Sequence, residues 1–310
     1  MKIEAIINSG SGTVNSNGVT PPGPEDDAQT DLHQRLIDLF SGHNVDAKVS
    51  VAHSGAEVVE LAERAARGDA DIIVAGGGDG TINSVAAAVL GSQKTLGILP
   101  FGTLNHFAKD LNIPLDLESA VKTIVEGQVV QIDAGEVNGR IFLNNSSLGL
   151  YPSIVRERKK QQHLGWGKWP AFVWAAIAVM RRYPFLNVRL NVEDKEFAIR
   201  TPFVFIGNNE YEMETLNIGC RARLDNGKLS LYVTNRIGRL GLIRLAILAL
   251  FGGLRQEKDF IALSAEEMWI ETKHQRVTVA LDGEVTLMHP PLHYQTRPGA
   301  LRVIVPRTTP

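Results

Sequence analysis

The sequence predicts an α/β N-terminal domain built on a parallel sheet, followed by a β-rich, mainly antiparallel C-terminal domain. Two observations carry this reading. Over roughly the first 130 residues, short apolar runs alternate with stretches of helical period, the pattern of βαβα units with helices against a parallel sheet. After about Asp133 that alternation stops, and Asn138-Gly139, Asn226-Gly227 and Asp282-Gly283, dipeptides suited to tight hairpin turns, stand among strand-like runs. With 310 residues, 44% of them hydrophobic, the chain has material for two cores.

In chain order, the parallel strands are predicted at Ile3 to Ile7, Val45 to Val51, Asp71 to Ala75 and Thr95 to Leu99. Helices are predicted at Ala28 to Phe40, Gly55 to Arg67, Thr81 to Leu90 and Leu117 to Glu126; in the second, Val58, Val59, Leu61, Ala62, Ala65 and Ala66 form the apolar stripe. Gly10 to Gln29 is rich in Gly, Ser, Asn, Thr and Pro and reads as a surface loop. In the second half, strands are predicted at Arg140 to Asn144, Asn187 to Val192, Thr201 to Gly207, Lys228 to Val233, Glu267 to Glu271, Val277 to Leu281 and Leu301 to Val305. Two apolar stretches, Pro170 to Met180 and Leu240 to Leu254, are shorter than the ~18 residues of a membrane span and read as helices in a core or lining a cleft.

Composition narrows the function. Thirty-two basic against 34 acidic residues give a net charge of -2, without the basic excess of a dedicated nucleic-acid binder. A single cysteine, Cys220, forms neither an intramolecular disulfide nor a thiolate zinc site, and no signal-peptide pattern opens the chain, so a reduced cytoplasmic setting is expected.

The most informative stretch is Asp71-Ile72-Ile73-Val74-Ala75-Gly76-Gly77-Gly78-Asp79-Gly80-Thr81, a buried-type strand running into a glycine loop that opens a helix. Such a loop brings backbone N–H groups against phosphate oxygens, with the positive end of the helix dipole behind them. Asp79 beside such a cradle repels phosphate unless a divalent cation or donor intervenes, which points to Mg²⁺-linked phosphate chemistry. A plain strand-to-helix turn is the alternative, although four glycines in the five positions from Gly76 to Gly80 exceed what a turn needs. Neither the Gly-Lys-Ser/Thr phosphate loop nor a Gly-x-Gly-x-x-Gly run after the first strand is present. Two further loops, Asn8-Ser9-Gly10-Ser11-Gly12 and Pro100-Phe101-Gly102-Thr103-Leu104-Asn105, also follow parallel strands, so all three are expected at the carboxyl edge of the sheet.

These residues resemble the diacylglycerol-kinase catalytic-domain lipid kinases, a family that includes sphingosine and ceramide kinases, and the resemblance spans nearly the whole chain. Gly77-Gly78-Asp79-Gly80-Thr81 is shared with NAD kinases and phosphofructokinases, whereas Leu96 to Ala108 looks like the narrower lipid-kinase pattern Pro-x-Gly-Thr-x-Asn-Asp-Phe-Ala. Asn8-x-x-Ser11-Gly12 is similar to the family's Asn-Pro-x-Ser-Gly loop, and Asp282-Gly283-Glu284 matches its Asp-Gly-Glu. There are departures: His106 stands where the family usually has Asp, Ser84 where Glu is common and Ser9 where Pro is usual.

The resemblance implies an NAD kinase/diacylglycerol kinase-like fold with an antiparallel, sandwich-like second domain. Residues 1–132 with 296–310 would form the nucleotide-binding domain and 133–295 the lipid- or acceptor-binding domain, with the reaction in the cleft. It implies ATP and Mg²⁺, a nucleotide site at Asn8, Ser11, Gly12, Gly77, Gly78, Asp79, Gly80, Thr81, Gly102, Thr103 and Asn105, and metal-linked roles for Asp79, Asp133 and Asp225. Asp282 would be the general base, with Glu284 orienting it or the acceptor hydroxyl. Taken alone, Asp282-Gly283 is equally a good type I′ hairpin turn. A lipid alcohol such as diacylglycerol would be the acceptor, met during transient visits to a membrane surface by a cytoplasmic enzyme that is compatible with a homodimer. A kinase of a soluble acceptor and a non-catalytic nucleotide-binding protein are the alternatives. The basic run Arg156, Arg158, Lys159 and Lys160 near Trp166, Trp169 and Trp174 is either a solvated face or a dock for an anionic bilayer.

Overall fold

The structure is a computed structural model, which describes residues 1–10, 25–150, 152–153, 155, 185–192, 195–211, 221, 223–234, 241 and 260–307. The chain divides into two compact units, Met1–Ile132 with Gly299–Pro310, and Asp133–Pro298.

The first unit contains β1 (Ile3–Asn8), α1 (Glu25–Gly42), β2 (Ala47–Ala52), α2 (Gly55–Arg67), β3 (Ile72–Gly77), α3 (Asp79–Val89), β4 (Thr95–Pro100), the short α4 (His106–Asp110) and α5 (Leu117–Glu126). The strands pair in parallel in the order β2-β1-β3-β4. All of β3 and β4 is buried, as apolar runs covered on both sides should be. One core joins Ile3, Ala5 and Ile7 to Leu36 and Phe40 of α1 and Val121 and Ile124 of α5. Ser54 caps α2 by accepting the Glu57 N–H, and the helix buries Val58, Leu61, Ala62 and Ala65. Val59, expected in that stripe, is 39% exposed. The loop predicted through Gln29 ends earlier, because α1 starts at Glu25, where three consecutive acidic residues favour a helix start.

The last strand, β16 (Leu292–Val305), is far longer than the predicted Leu301 to Val305. Val303 pairs in parallel with Leu96 of β4 within the first unit.

The second unit is antiparallel. Its elements are β5 (Gln128–Val137, which enters it at Asp133), β6 (Arg140–Phe142), β7 (Asn145–Gly149), β8 (Leu186–Val192), β9 (Lys195–Thr201), β10 (Phe203–Asn208), β11 (Leu229–Thr234), β12 (Phe260–Ala265), β13 (Glu267–Thr272), β14 (Val277–Leu281) and β15 (Glu284–Met288). One sheet runs β16-β13-β8-β9 and the other β12-β11-β10-β7-β14-β15. Alternate residues of both, including Val188 and Ile270 from one and Leu148, Ile206 and Val279 from the other, meet in one core, the arrangement of a β-sandwich.

Several expectations are corrected here. Arg140 to Asn144 is not one strand: β6 stops at Phe142 and the chain bends through Leu143 and Asn144 before β7. Thr201 to Gly207 is split, with Thr201 ending β9 and β10 starting at Phe203. Asn138-Gly139 and Asp282-Gly283 are two-residue hairpin turns with positive φ at both positions, as type I′ requires. Asn226-Gly227 is not a hairpin; only Gly227 has positive φ, and the pair lies in the loop before β11. The apolar stretches Pro170 to Met180 and Leu240 to Leu254 fall outside the described residues, apart from Gly241, as do Cys220, the basic run and its tryptophans. Among the described residues, no helix is long and apolar enough to cross a membrane.

Candidate active site

In the first unit, β1 ends at Asn8, β3 at Gly77 and β4 at Pro100. The order β2-β1-β3-β4 reverses direction at β1 and β3, the position at whose carboxyl end open α/β sheets bind ligands. Three contacts tie the loops that leave these strands. Asn8 donates through Nδ2 to Thr81 Oγ1 at 2.9 Å, joining the first loop to the glycine loop. Asp79 Oδ1 accepts the Phe107 N–H at 3.2 Å, joining the glycine loop to α4. The backbones of Gly78 and Gly102 approach so closely that a Cβ at Gly102 would lie 2.6 Å from Gly78 Cα.

The glycine loop presents the start of α3, an eleven-residue helix whose N-cap is Gly78 and which has no side-chain cap. Its opening N–H groups, from Asp79 to Thr81, are therefore left for a ligand, and the helix dipole favours an anion there. A Cβ at Gly77 would come within 2.5 Å of the Thr81 side chain, so only glycine lets the chain turn this tightly. In the third loop Asn105 takes φ 50°, and its Nδ2 donates to the carbonyls of Pro100 and Gly102 at 3.2 and 2.8 Å, fixing the loop from within. Thr103 and His106 are exposed beside it. Ser84 Oγ turns back to the Gly80 carbonyl at 3.0 Å, so this departure from the family pattern is absorbed within α3. Ser11 and Gly12 lie outside the described residues.

The second unit holds Asp282. It sits in the β14–β15 turn with φ 46°, and its carboxylate accepts three backbone N–H groups, from Leu143 at 2.7 Å, Asn144 at 2.8 Å and Asn145 at 2.9 Å. The bend at Leu143 and Asn144 is what turns these donors toward one carboxyl. Asp282 is thus both the hairpin residue and a held acid. Burial pushes its pKa up to about 6, and the three N–H groups and the positive charge of Arg221 only partly oppose that. Glu284, by contrast, is exposed at the start of β15. The N–H groups of residues 143–145 orient Asp282.

Arg221, which sequence reasoning missed, is 5% exposed and braces the same strap. It donates to the carbonyls of Leu143 at 2.6 Å and Asn208 at 3.1 Å and to Asn144 Oδ1 at 2.7 Å, with its guanidinium 5.7 Å from the Tyr211 ring centroid. No local motif marks it; a lone arginine 61 residues before Asp282 has no sequence signal of its role.

Asp133 is buried and accepts the Gly227 N–H at 2.6 Å, while its own N–H donates to the Leu224 carbonyl at 2.7 Å. Both carboxylate oxygens of Asp225 face Arg223, at 3.0 and 3.3 Å, and this partner lowers the pKa of Asp225. Asp133 thus holds the loop that carries Asp225, while the Asp225 carboxylate pairs with Arg223. Among the described residues no three His, Cys, Asp or Glu side chains are grouped to hold a metal.

Comparison with known proteins identifies the family. Residues 19–137 match the model of the diacylglycerol kinase catalytic domain, and residues 151–305 match that of the YegS C-terminal NAD kinase beta sandwich-like domain. The chain is 29% identical to the "Probable lipid kinase YegS-like" of Klebsiella pneumoniae (strain 342), over 89% of this chain and 92% of that protein. It is 26% identical to the diacylglycerol kinase of Bacillus subtilis (strain 168), over 83% and 85% of the two chains. A crystal structure of a diacylglycerol kinase from Bacillus anthracis str. Sterne shares the fold, with a TM-score of 0.69 and 20% identity over 99% of this chain and 97% of that one. The chain belongs to the lipid kinase family defined by the diacylglycerol kinase catalytic domain and the YegS-type C-terminal domain. Its activity is that of an ATP-dependent phosphotransferase with a lipid alcohol as acceptor.

Proposed function

We propose that the chain transfers the γ-phosphoryl group of ATP to the free hydroxyl of a diacylglycerol-type lipid, with Asp282 as general base. The observation that carries this is the Asp282 carboxyl, held by three N–H groups and raised to about 6, close to the pH at which a base must accept a proton and release it again. In the step itself, the acceptor oxygen bonds to the γ-phosphorus, the bond from that phosphorus to the β-γ bridging oxygen breaks, ADP departs, and the hydroxyl proton passes to Asp282. Positioning and charge stabilisation supply most of the acceleration in such transfers, and the base adds about 10² to 10⁴.

The three loops of the first unit are the parts that bind nucleotide. The N–H groups at the start of α3 take phosphate oxygens, Gly77, Gly78 and Gly102 keep Cβ atoms out of the cradle, and Asn8, Thr81 and Asn105 hold the loops in place. Mg²⁺ would be held chiefly by the nucleotide phosphates and by Asp79, neutralising charge on the transferred group. This fits an ion that commonly uses only one or two protein carboxylates. Asp133 and Asp225 act in this reading through loop structure: Asp133 anchors residues 224–227, and Asp225 pairs with Arg223. Arg221 is a positioning residue, acting on Asp282 through the strap of Leu143 to Asn145. A lipid acceptor resides in a bilayer, so catalysis takes place at a membrane surface.

Incorporation of label from γ-labelled ATP into diacylglycerol in mixed micelles, compared with Asp282→Asn, tests the reading. Transfer to a water-soluble acceptor in the absence of lipid would overturn it.

A further inference from the structure

In the sheet β16-β13-β8-β9, Val188, Leu190, Ile199, Met268 and Ile270 point into the sandwich core, so the alternate residues of these strands stand on its outer face. Register orders that face into rows. Asn191 lies between Trp269 and Glu196; the next row carries Glu271, Arg189 and Ala198; in the row after it Asn187 stands opposite Arg200, and Lys273 follows the end of β13 on the same side. The basic residues of β8, β9 and the end of β13 are therefore gathered at one end, whereas Glu196 and Glu267 stand toward the other. That basic end lines a groove of about 680 Å³. Asn187, Arg189, Ala198, Arg200, Glu271 and Lys273 are all exposed, so the groove is open to solvent.

The charges there are not spent on one another. Among the described residues, the side chains of Arg189 and Lys273 have no ion-pair or hydrogen-bond partner, and Glu271 stands opposite Arg189 without closing an ion pair. Arg200 is set over the Phe185 ring, its guanidinium carbon 4.5 Å from the centroid, which fixes the plane of its fork while leaving its N–H groups to donate. Like charges this close repel, and a bound anion removes that cost. Ala198, between the two arginines in the lining, leaves room for one. We propose that this groove is a phosphate-monoester site, outside the residues assigned above to nucleotide and base. Charge selects the class: three cations against one carboxylate leave a net +2 in the lining, which a monoester at about −1.5 to −2 matches and a singly charged carboxylate or phosphodiester does not. Two guanidiniums and an ammonium around the Asn187 amide supply donors from several directions, as a tetrahedral group of oxygens requires. The monoester can arrive on a soluble molecule or on a lipid headgroup.

Two probes separate the sources. Calorimetry with glycerol 3-phosphate reads the soluble one; cosedimentation with phosphatidylcholine vesicles carrying phosphatidate reads the headgroup, with vesicles carrying phosphatidylglycerol at matched surface charge as the diester control. Binding of either monoester probe supports the site, provided that Arg200→Gln and Lys273→Gln each weaken it by about tenfold, the worth of a hydrogen bond to a charged group. Both side chains are exposed, so both variants should keep the wild-type Tm. Binding that survives both substitutions belongs to the glycine loop or another surface and overturns the assignment, as does the absence of binding by either probe at millimolar concentration. Phosphatidylglycerol vesicles held as tightly as phosphatidate vesicles would show a general field of positive charge and reject the monoester site. The initial rate of phosphate transfer to lipid should be unaltered in both variants, so failure of the groove leaves the kinase reading standing, and absence of transfer with the groove intact leaves the groove standing.

Discussion

Replacing Asp282 with Asn should make the protein more stable at neutral pH while nearly abolishing its activity. The ordinary aspartate value of 3.8 and the folded value of about 6 differ by an amount that costs about 3 kcal/mol on full ionisation in the fold. The direction follows from linkage. A folded pKa above the unfolded one means the native state binds the proton more tightly, so the contribution of Asp282 to stability is greatest below pH 3.8 and is lost as pH rises through 6. The cost is about 1.6 kcal/mol at pH 5 and about 3 kcal/mol at pH 7.5. An Asn at φ 46° is tolerated, and its amide oxygen keeps acceptor contacts with the strap at Leu143 to Asn145. With about 1 kcal/mol lost for one unmatched N–H, the variant gains about 2 kcal/mol at pH 7.5 and about 0.6 kcal/mol at pH 5. Thermal unfolding at the two pH values reads this as a rise of about 4–8 °C at pH 7.5 that shrinks markedly at pH 5. A destabilised variant at pH 7.5, or a gain independent of pH, would refute the ionisation cost. In the same samples kcat should fall by about 10² to 10⁴ with KM for ATP little changed.

Four further outcomes are expected. Arg221→Met should cut kcat and move the acid limb of the pH–rate profile above its wild-type position near 6, because a positive charge that lowers the Asp282 pKa is gone; Arg221→Lys should restore part of both, and a profile that does not move would make Arg221 merely structural. Gly102→Ala places a Cβ 2.5 Å from Asn105 Oδ1 and 2.6 Å from Gly78 Cα, so ATP affinity measured by calorimetry should drop at least tenfold, with about 1–3 kcal/mol of strain. Thr81→Val breaks the link to Asn8 and should raise KM for ATP by about fivefold, the worth of one hydrogen bond, while leaving the Asp282 limb in place. Chelation with EDTA should abolish transfer, and excess Mg²⁺ should restore it; transfer in EDTA would remove the metal from the reaction.

Much of the first unit was legible because its signals are local. A strand buried on both faces is a run of apolar residues, and Gly55–Arg67 and Leu117–Glu126 carry their caps and stripes in sequence, so their bounds match the structure. The second unit was less legible because its elements depend on distant partners. Leu143 and Asn144 read as strand residues, yet they bend so that their N–H groups meet a carboxylate nearly 140 residues away. The final strand was read only over Leu301 to Val305, yet β16 starts at Leu292 and runs through Pro298 and Gly299. The Asp282-Gly283 dipeptide was legible twice, as a turn and as a motif, and in the structure the turn residue is also the one whose carboxylate is held by three backbone N–H groups. Arg221 had no signal at all, since its meaning lies in acceptors elsewhere in the chain, two in the bend at Leu143 and Asn144 and one at Asn208, the end of β10.

The central claim is that Asp282 serves a phosphoryl transfer from ATP to a lipid hydroxyl, and the most direct measurement is transfer of labelled γ-phosphate into organic-extractable product from a mixed lipid extract, with wild type and Asp282→Asn side by side. The account predicts label in the lipid phase for wild type and a loss of at least a hundredfold in the folded variant. Label that persists undiminished in the variant, or that appears only in the aqueous phase with wild type, would contradict it.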